Sequence, residues 1–454
     1  MREVQVTPVP LERLASLLTP DRADRLLEYQ RRAERGLARR TVWNINSTGE
    51  GGGVAEMLRA LLAYARGAGI DIRWLVLDGN PEFFAVTKRI HNRLHGDAGD
   101  GGALDDAARV AYLDVQARNL ETLERLVRPG DIVLLHDPQT AGLAANLRAK
   151  GAYVVWRCHV GIDEQNALTR EAWTFLRDLV APAHAVIFSR SQFAPDWFDR
   201  QWLRVIPPSL DPFSPKNVEL APDDVATLVA RCHRTDDGPP PPADSRTVLQ
   251  VSRWDRLKDM SGLLAAFAQN ARTLPDDVHL VLAGPQTDGV QDDPEATAVL
   301  AGCRELRSGL EPGIRARVHL LSLPMADVED NARMVNALQR HASVVVQKSL
   351  AEGFGLTVTE PMWKGRPVVA SAVGGIRDQI EDGVSGLLLQ DPRDHAELVA
   401  ALRRTLEDPE LSLQLGKAAR ERIRDRYLAD RHLIQYVELF EELLEDGARA
   451  VRPD

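Results

Sequence analysis

Glu352-Gly353-Phe354-Gly355-Leu356-Thr357-Val358-Thr359-Glu360, closed by Pro361, comes just after the apolar run Ser343 to Val346. The apolar run reads as a buried strand, and Leu356 to Lys364 as a helix. Two glycines at a strand-to-helix turn let backbone N–H groups approach a bound anion or a sugar hydroxyl. The helix that starts there adds a positive dipole end of roughly half a charge. Glu352 falls at the turn and Glu360 about one turn inside the helix. Taken alone, two such glutamates could be an N-cap-like residue and a solvated helix residue. After a strand and a glycine turn, they suit two sets of hydroxyls, hexose at one end and ribose at the other.

The chain around this stretch has 454 residues, 44% of them hydrophobic, enough for two to three domains with large cores. With 56 basic against 66 acidic residues the formal charge is −10, which argues against nucleic acid as the main partner. Cys158, Cys232 and Cys303 are widely spaced and form no CxxC, which points to a reducing compartment and no zinc site. No apolar run approaches the ~18 residues of a membrane span, and Met1-Arg2-Glu3-Val4 opens no signal sequence. A soluble cytoplasmic protein without a membrane partner is expected.

Residues 1–40 are charged and read as helical, with Leu11, Leu14, Leu17 and Leu18 at helical spacing. This lead-in packs on the first domain or on a second copy of the chain, which leaves a homodimer open. Thr41 to Asn46 reads as the first strand. It runs into Ser47-Thr48-Gly49-Glu50-Gly51-Gly52-Gly53 and the amphipathic helix Val54 to Arg66. The loop has neither GxGxxG spacing nor a following GK[ST]; a strand, glycine turn and helix still let backbone approach a phosphate or sugar.

Strands and helices then alternate. Strands are expected at Asp71 to Leu77, Ile132 to Leu135, Ala152 to Trp156 and Ala185 to Phe188, with helices at Pro81 to Leu94 and Asp105 to Val127. Polar clusters close three of these strands: His136-Asp137-Pro138, Arg157-Cys158-His159-Val160-Gly161-Ile162-Asp163 and Ser189-Arg190-Ser191. Ligands sit at such positions in open α/β sheets. Arg204 to Pro212 is proline-rich and reads as a hinge, and Asp236 to Ser245 as an exposed loop. Alternation restarts at Val248 to Val251, followed by Ser252-Arg253-Trp254-Asp255-Arg256-Leu257-Lys258-Asp259. Further strands are expected near His279 to Ala283, Arg317 to Leu321, Ser343 to Val346, Pro367 to Ala370 and Gly386 to Leu389. The architecture is α/β, with two doubly wound Rossmann-like domains facing across a cleft.

Ser252-Arg253 with Lys258, Glu352-Gly353-Phe354-Gly355 with Glu360, and Gly374-Gly375 ahead of a helix resemble the retaining GT-B glycosyltransferases of family 4. Asn46-Ser47-Thr48, Gly51-Gly52-Gly53-Val54-Ala55-Glu56, His136-Asp137-Pro138-Gln139, Trp156-Arg157-Cys158-His159 and Pro208-Ser209-Leu210-Asp211-Pro212 resemble the trehalose glycosyltransferring synthases within that group. The trehalose phosphorylases share much of the pattern.

The resemblance implies a helical lead-in at 1–40 and an acceptor domain at 41–207, completed by a C-terminal helix at 429–454. A nucleotide-sugar donor domain would occupy 208–428. It implies transfer of an α-glucosyl group, with retention and reversibly, from a nucleoside-diphosphate glucose to free glucose. Trehalose phosphorolysis, or transfer to another sugar acceptor, is the alternative. A sugar-phosphate acceptor would want a basic cluster in the first domain; Lys88, Arg89 and Arg93 qualify by charge but read as a solvated helix face.

By the same resemblance Arg253 and Lys258 would neutralise the diphosphate and stabilise the leaving group. Glu352, with the Gly353, Phe354 and Gly355 backbone, would hold the glucose 3- and 4-hydroxyls. Leu356 and Thr357 would offer N–H groups to the distal phosphate, and Glu360 would accept from the ribose. Gly51 and Gly52 would bring first-domain backbone to the donor, His159 would lie against the donor sugar, and Asp137, Gln139 and Asp163 would contact the acceptor. No nucleophile is assigned. No Asp-x-Asp metal clamp is found, and neither a metal nor another cofactor is expected.

Overall fold

Asn44, His136, Arg157, Gln250 and Gln347 are polar, yet all are buried within strands that are mostly apolar. Strands covered by helices on both faces are near-continuous Val/Ile/Leu runs, so buried polar side chains in them mark special positions. A computed structural model describes residues 1–49, 52–232, 241–242, 244–287 and 294–450. The chain divides into two compact units, Met1–Ser209 together with the segment beginning at Tyr427, and Leu210–Arg426.

The first unit holds β1 (Arg2–Glu3), β2 (Val42–Asn46), β3 (Ile72–Val76), β4 (Ile132–His136), β5 (Tyr153–Cys158), β6 (Ala185–Phe188) and β7 (Leu203–Val205). Their order is β1-β3-β2-β4-β5-β6-β7, parallel except for β1, which runs antiparallel along β3. The order reverses between β2 and β4, so loops leaving those two strands diverge and open a crevice there. The second unit holds β8 (Arg246–Val251), β9 (Val278–Pro285), β10 (Val318–Leu323), β11 (Val344–Gln347), β12 (Val368–Ser371) and β13 (Leu387–Leu389). All are parallel, in the order β10-β9-β8-β11-β12-β13, with the reversal between β8 and β11.

Three local expectations need correction. Residues 1–40 are not all helical: Arg2–Glu3 is the antiparallel edge strand, followed by helices Leu11–Ala15 and Pro20–Gly36. The supposed hinge begins with strand β7, because Leu203–Val205 pairs with Val186–Phe188 before Pro207 and Pro208 end the run. Arg157 and Cys158 are the last residues of β5 rather than part of the loop beyond it. Gly51 and most of the loop from 236 to 245 lie outside the described residues.

Aromatic side chains fill the first core. Trp156 meets Trp173 edge-on at 6.2 Å and Phe188 at 6.0 Å, geometry that suits the ring quadrupoles. The helix Ala429–Ala450 closes the opposite face of this sheet, placing Leu439, Phe440 and Leu443 against Val42, Ile132 and Leu134. Asp430 in its first turn takes Arg22 of the Pro20–Gly36 helix through a fork of contacts at 2.8–3.0 Å. The second core gathers Leu263, Leu264 and Phe267 of the Met260–Asn270 helix against Val248, Leu280 and Val346.

Candidate active site

In the second unit the loops after β8 and β11 are cross-linked from below. Buried Gln250 donates to the Lys258 carbonyl at 2.8 Å and accepts from the Lys348 N–H at 3.1 Å. The Leu350 N–H donates to the Leu257 carbonyl at 2.8 Å. Gln347 bonds Ser252 and Ser349, at 3.1 and 2.9 Å. Lys348, 1% exposed, pairs with Asp259, whose left-handed backbone (φ 50°) and carboxylate cap the Met260–Asn270 helix. Of these residues, only Lys258 and Ser252 enter the sequence reading of the site; Gln250, Gln347, Lys348 and Ser349 are given no role there. Their signal was polarity at the C-terminal ends of apolar strands.

This frame brings Lys258 and Glu352 together, ammonium to carboxylate, with Ser349 Oγ 3.3 Å from the same oxygen. Both side chains keep some exposure, 15% and 11%. Arg253 lies on the same loop but reaches outward, half-exposed, 3.5 Å from Asp255. Asp255 shapes the loop by capping the Leu257 N–H at 2.8 Å.

Gly355 takes φ 93° and starts the helix Leu356–Trp363. That backbone conformation is costly for any side chain. Gln379 donates to the Phe354 carbonyl at 2.5 Å and accepts from Thr359 Oγ1 at 2.7 Å, holding the glycine turn down. Gly375 closes it from the side: a Cβ there would stand 2.7 Å from Phe354 Cα and 2.9 Å from the Gly353 carbonyl. The turn therefore presents the N-terminal end of a helix at a switch point, as anion sites do. Thr357 Oγ1 is buried there with no partner among the described residues.

Glu360 sits deeper than its sequence position suggests, at 4% exposure. Its carboxylate accepts from Gln339 at 3.0 Å and faces Lys216 at 3.6 Å. Lys364 lies beneath, bonded to Gln339, Asn217 and the Glu360 carbonyl, and burial lowers its pKa against the pull of Glu360.

In the first unit the polar residues cluster at the β2–β4–β5 ends. Asp137 follows β4 in a left-handed conformation, φ 64°. Its Oδ1 accepts from the His159 backbone N–H at 2.7 Å. Burial pushes the Asp137 carboxyl up to about 7, opposed by that N–H and by the Arg157 guanidinium. His159 Nε2 stands 3.2 Å from His136 Nδ1, and His136 Nε2 stands 3.1 Å from Asn44 Oδ1. Burial, then the Arg157 charge, hold both imidazoles below the usual range, His136 down to about 3. Gln139 is the second residue of the short helix Pro138–Leu143, and its Oε1 is buried without a partner among the described residues. Asp163 is drawn aside into an ion pair with Arg190. Gly52 (φ 81°) precedes the helix Gly53–Gly67 and is exposed. The structure thus joins Asp137 to His159 directly, places Gln139 two residues further along, and gives Asp163 another partner.

Arg157, fully buried, donates to His432 Nε2 at 2.7 Å, to Tyr436 Oη and to the Ile206 carbonyl at 3.0 Å. Among the described residues no group of three or more His, Cys, Asp or Glu side chains could hold a metal ion. No helix among them is long and apolar enough to cross a membrane.

Two doubly wound units with polar loops at their switch points define a glycosyltransferase of the GT-B class. The N-terminal-domain signature of trehalose synthase matches residues 44–195, and that of the group 1 glycosyl transferases matches residues 327–422. The chain is 36% identical to a trehalose synthase of Pyrococcus horikoshii over 417 residues, 92% of this chain and 93% of that one. It is 35% identical to a trehalose synthase of Rubrobacter xylanophilus over 405 residues, 89% and 90% of the two chains. The chain belongs to the trehalose synthase family. Its fold is also that of the α,α-trehalose 6-phosphate synthase of Burkholderia multivorans, with TM-score 0.70 at 16% identity over 91% of this chain and 99% of that one.

Proposed function

We propose that this chain is a retaining glucosyltransferase, joining a nucleoside-diphosphate glucose to free glucose to give α,α-trehalose, reversibly and without a metal. The observation that carries the reading is Lys258 against Glu352 beside the Gly355 helix start, at the switch point of the second sheet. Glu352 then takes the hexose hydroxyls of the donor. Lys258, with Arg253 and the N–H groups of Leu356 and Thr357, takes the diphosphate. As the glycosidic bond breaks, negative charge grows on the leaving phosphate, and preorganised cations and N–H dipoles stabilise it most at that point. On this reading the leaving phosphate assists deprotonation of the incoming hydroxyl. No protein nucleophile is required, unlike a retaining glycosidase with its paired carboxylates.

Asp137 and Gln139 Oε1, which has no partner among the described residues, suit a neutral, hydroxyl-rich acceptor. Two of the three first-unit cations that a sugar phosphate would want, Arg89 and Arg93, have other partners, as has Arg190. Arg89 forks onto Asp100 at 2.8 Å, Arg93 holds the Gly102 carbonyl and faces Glu171, and Arg190 pairs with Asp163. That favours free glucose over its phosphate.

A paired incubation tests the reading. Trehalose and nucleoside diphosphate should form from ADP-glucose, UDP-glucose or GDP-glucose with glucose. A second tube with trehalose and inorganic phosphate should stay silent. Glucose 1-phosphate in the second tube with the first silent would make the chain a phosphorylase instead.

A further inference from the structure

His159 is joined to a second imidazole and an amide that the proposed reaction does not use. His136, at the end of β4, is fully buried, and Asn44, on adjacent β2, is 2% exposed. The two histidine rings stack at 5.5 Å with planes 12° apart. The His159 main chain is tethered independently by the Asp137 carboxylate.

With the Asn44 carbonyl oxygen turned toward His136, the protons follow. A neutral imidazole carries one N–H and one bare nitrogen. Asn44 Oδ1 can only accept, so His136 facing it at 3.1 Å carries its hydrogen on Nε2. His136 Nδ1 is therefore bare and can only accept, so His159 Nε2, 3.2 Å away, is the donor. His159 Nδ1 is what remains. The neighbouring His432 follows the same logic: Arg157 only donates, so His432 Nε2 is bare and Nδ1–H is left for Ser209 at 2.9 Å.

Asn44 also has a cost that packing does not explain. Its Nδ2 is buried with no partner among the described residues, and the side chain lines an apolar cavity of about 70 Å³ with Leu58, Leu61 and Leu134. An unsatisfied buried amide destabilises the fold, and an apolar residue of this size would avoid that. What Asn44 supplies in exchange is one oriented carbonyl on His136.

We propose that Asn44 and His136 are positioning residues that hold His159 as the Nε2-protonated tautomer, so that its bare Nδ1 accepts a hydrogen bond from a sugar hydroxyl. His159 then selects a hydroxyl at the position it meets and does not serve as a general acid. The ligand side of this statement rests on the glycosyl-transfer reading above; the tautomer does not.

The test separates the two. In ¹⁵N-histidine-labelled full-length protein without ligand, the His159 resonances are assigned by their loss in His159→Gln. A proton on His159 Nε2, with an N···N coupling through the hydrogen bond to His136 Nδ1, is the expected result. A proton on His159 Nδ1 would overturn the proposal. Asn44→Leu should shift His159 toward the Nδ1-protonated form and lower kcat/KM about tenfold, the effect of one lost hydrogen bond. An unchanged His159 signal in a folded Asn44→Leu protein would also overturn it. If the tautomer is as stated but no nucleotide sugar is turned over, the reaction assignment fails and the relay stands.

Discussion

Lys258 and Glu352 lie 94 positions apart in the chain, yet the ammonium and carboxylate meet at 2.5 Å. Each is the counter-ion of the other in the structure. Lys258→Ala should lower kcat/KM with a nucleoside-diphosphate glucose by ~10²-fold or more, the size seen when one preorganised charge-stabilising contact is lost. Steady-state kinetics with each donor checks this. Wild-type turnover would remove the diphosphate role.

Glu360 is buried against Gln339 and Lys216. Glu360→Gln keeps the shape and removes the charged acceptor, so nucleoside-diphosphate affinity should fall by ~10-fold or more, as for a hydrogen bond to a charged group. Calorimetric titration with ADP, UDP and GDP reads it, alongside an unchanged far-UV spectrum. Equal affinity would free Glu360 from ribose and leave it a structural partner of Lys216.

Gly375 has φ −63°, open to any residue, so Gly375→Ala adds no backbone strain. What it adds is a methyl 2.7 Å from Phe354 Cα, which must push the glycine turn aside. Donor turnover should drop about 10²-fold through misplacement, together with a loss of roughly 1–3 kcal/mol in stability from the overpacked backbone. Full activity would show that the turn's position is not critical.

Asp137 gives a pH dependence with opposite signs for stability and binding. Folding raises its pKa to about 7, from roughly 3.9 in an unfolded chain. The native state holds the proton more tightly, so this contribution is complete below pH ~4 and is lost as pH rises to about 7. Acceptor affinity should instead improve through that window, as the hydroxyl-accepting carboxylate appears. Asp137→Asn should be the more stable protein at alkaline pH, with the difference closing in acid, and should flatten the pH profile of the acceptor KM. Parallel wild-type and variant profiles would refute the titration assignment.

Arg157→Met should destabilise the first unit by about 3 kcal/mol, since His432, Tyr436 and the Ile206 carbonyl lose a buried donor together. Urea unfolding measures it. Cleavage within residues 429–450 under limited proteolysis should rise in parallel. An unmoved midpoint would mean the helix is held by its apolar face alone.

The parts legible in the sequence were those with local signals. Apolar β-branched runs announced the parallel strands, and Gly353 and Gly355 announced a strand-to-helix turn. Arg2–Glu3 was missed because two residues on an edge carry no periodicity, and β7 because Pro207 and Pro208 just after it look like a hinge. Burial was legible only in part. Glu352 stays partly exposed and Glu360 does not, although both read alike as glutamates near a helix start. The partners of Asp163, Asn44 and Arg157 come from distant parts of the chain, and no local pattern encodes Arg190, His136 or His432.

The closing helix sets an order of events for a newly made chain. Arg157 and His432 are separated by 275 residues, so at 5–20 residues per second the guanidinium waits roughly 15–50 s for its acceptor. During that time the second unit, which is continuous in sequence, has everything it needs to fold, while the first does not. The older half of the polypeptide is therefore finished last, as a host fold interrupted by a guest. A stop codon between residues 210 and 429 would leave a buried-type cation and an apolar sheet face without the helix that covers them. A permuted chain that starts with the closing helix should relieve that wait.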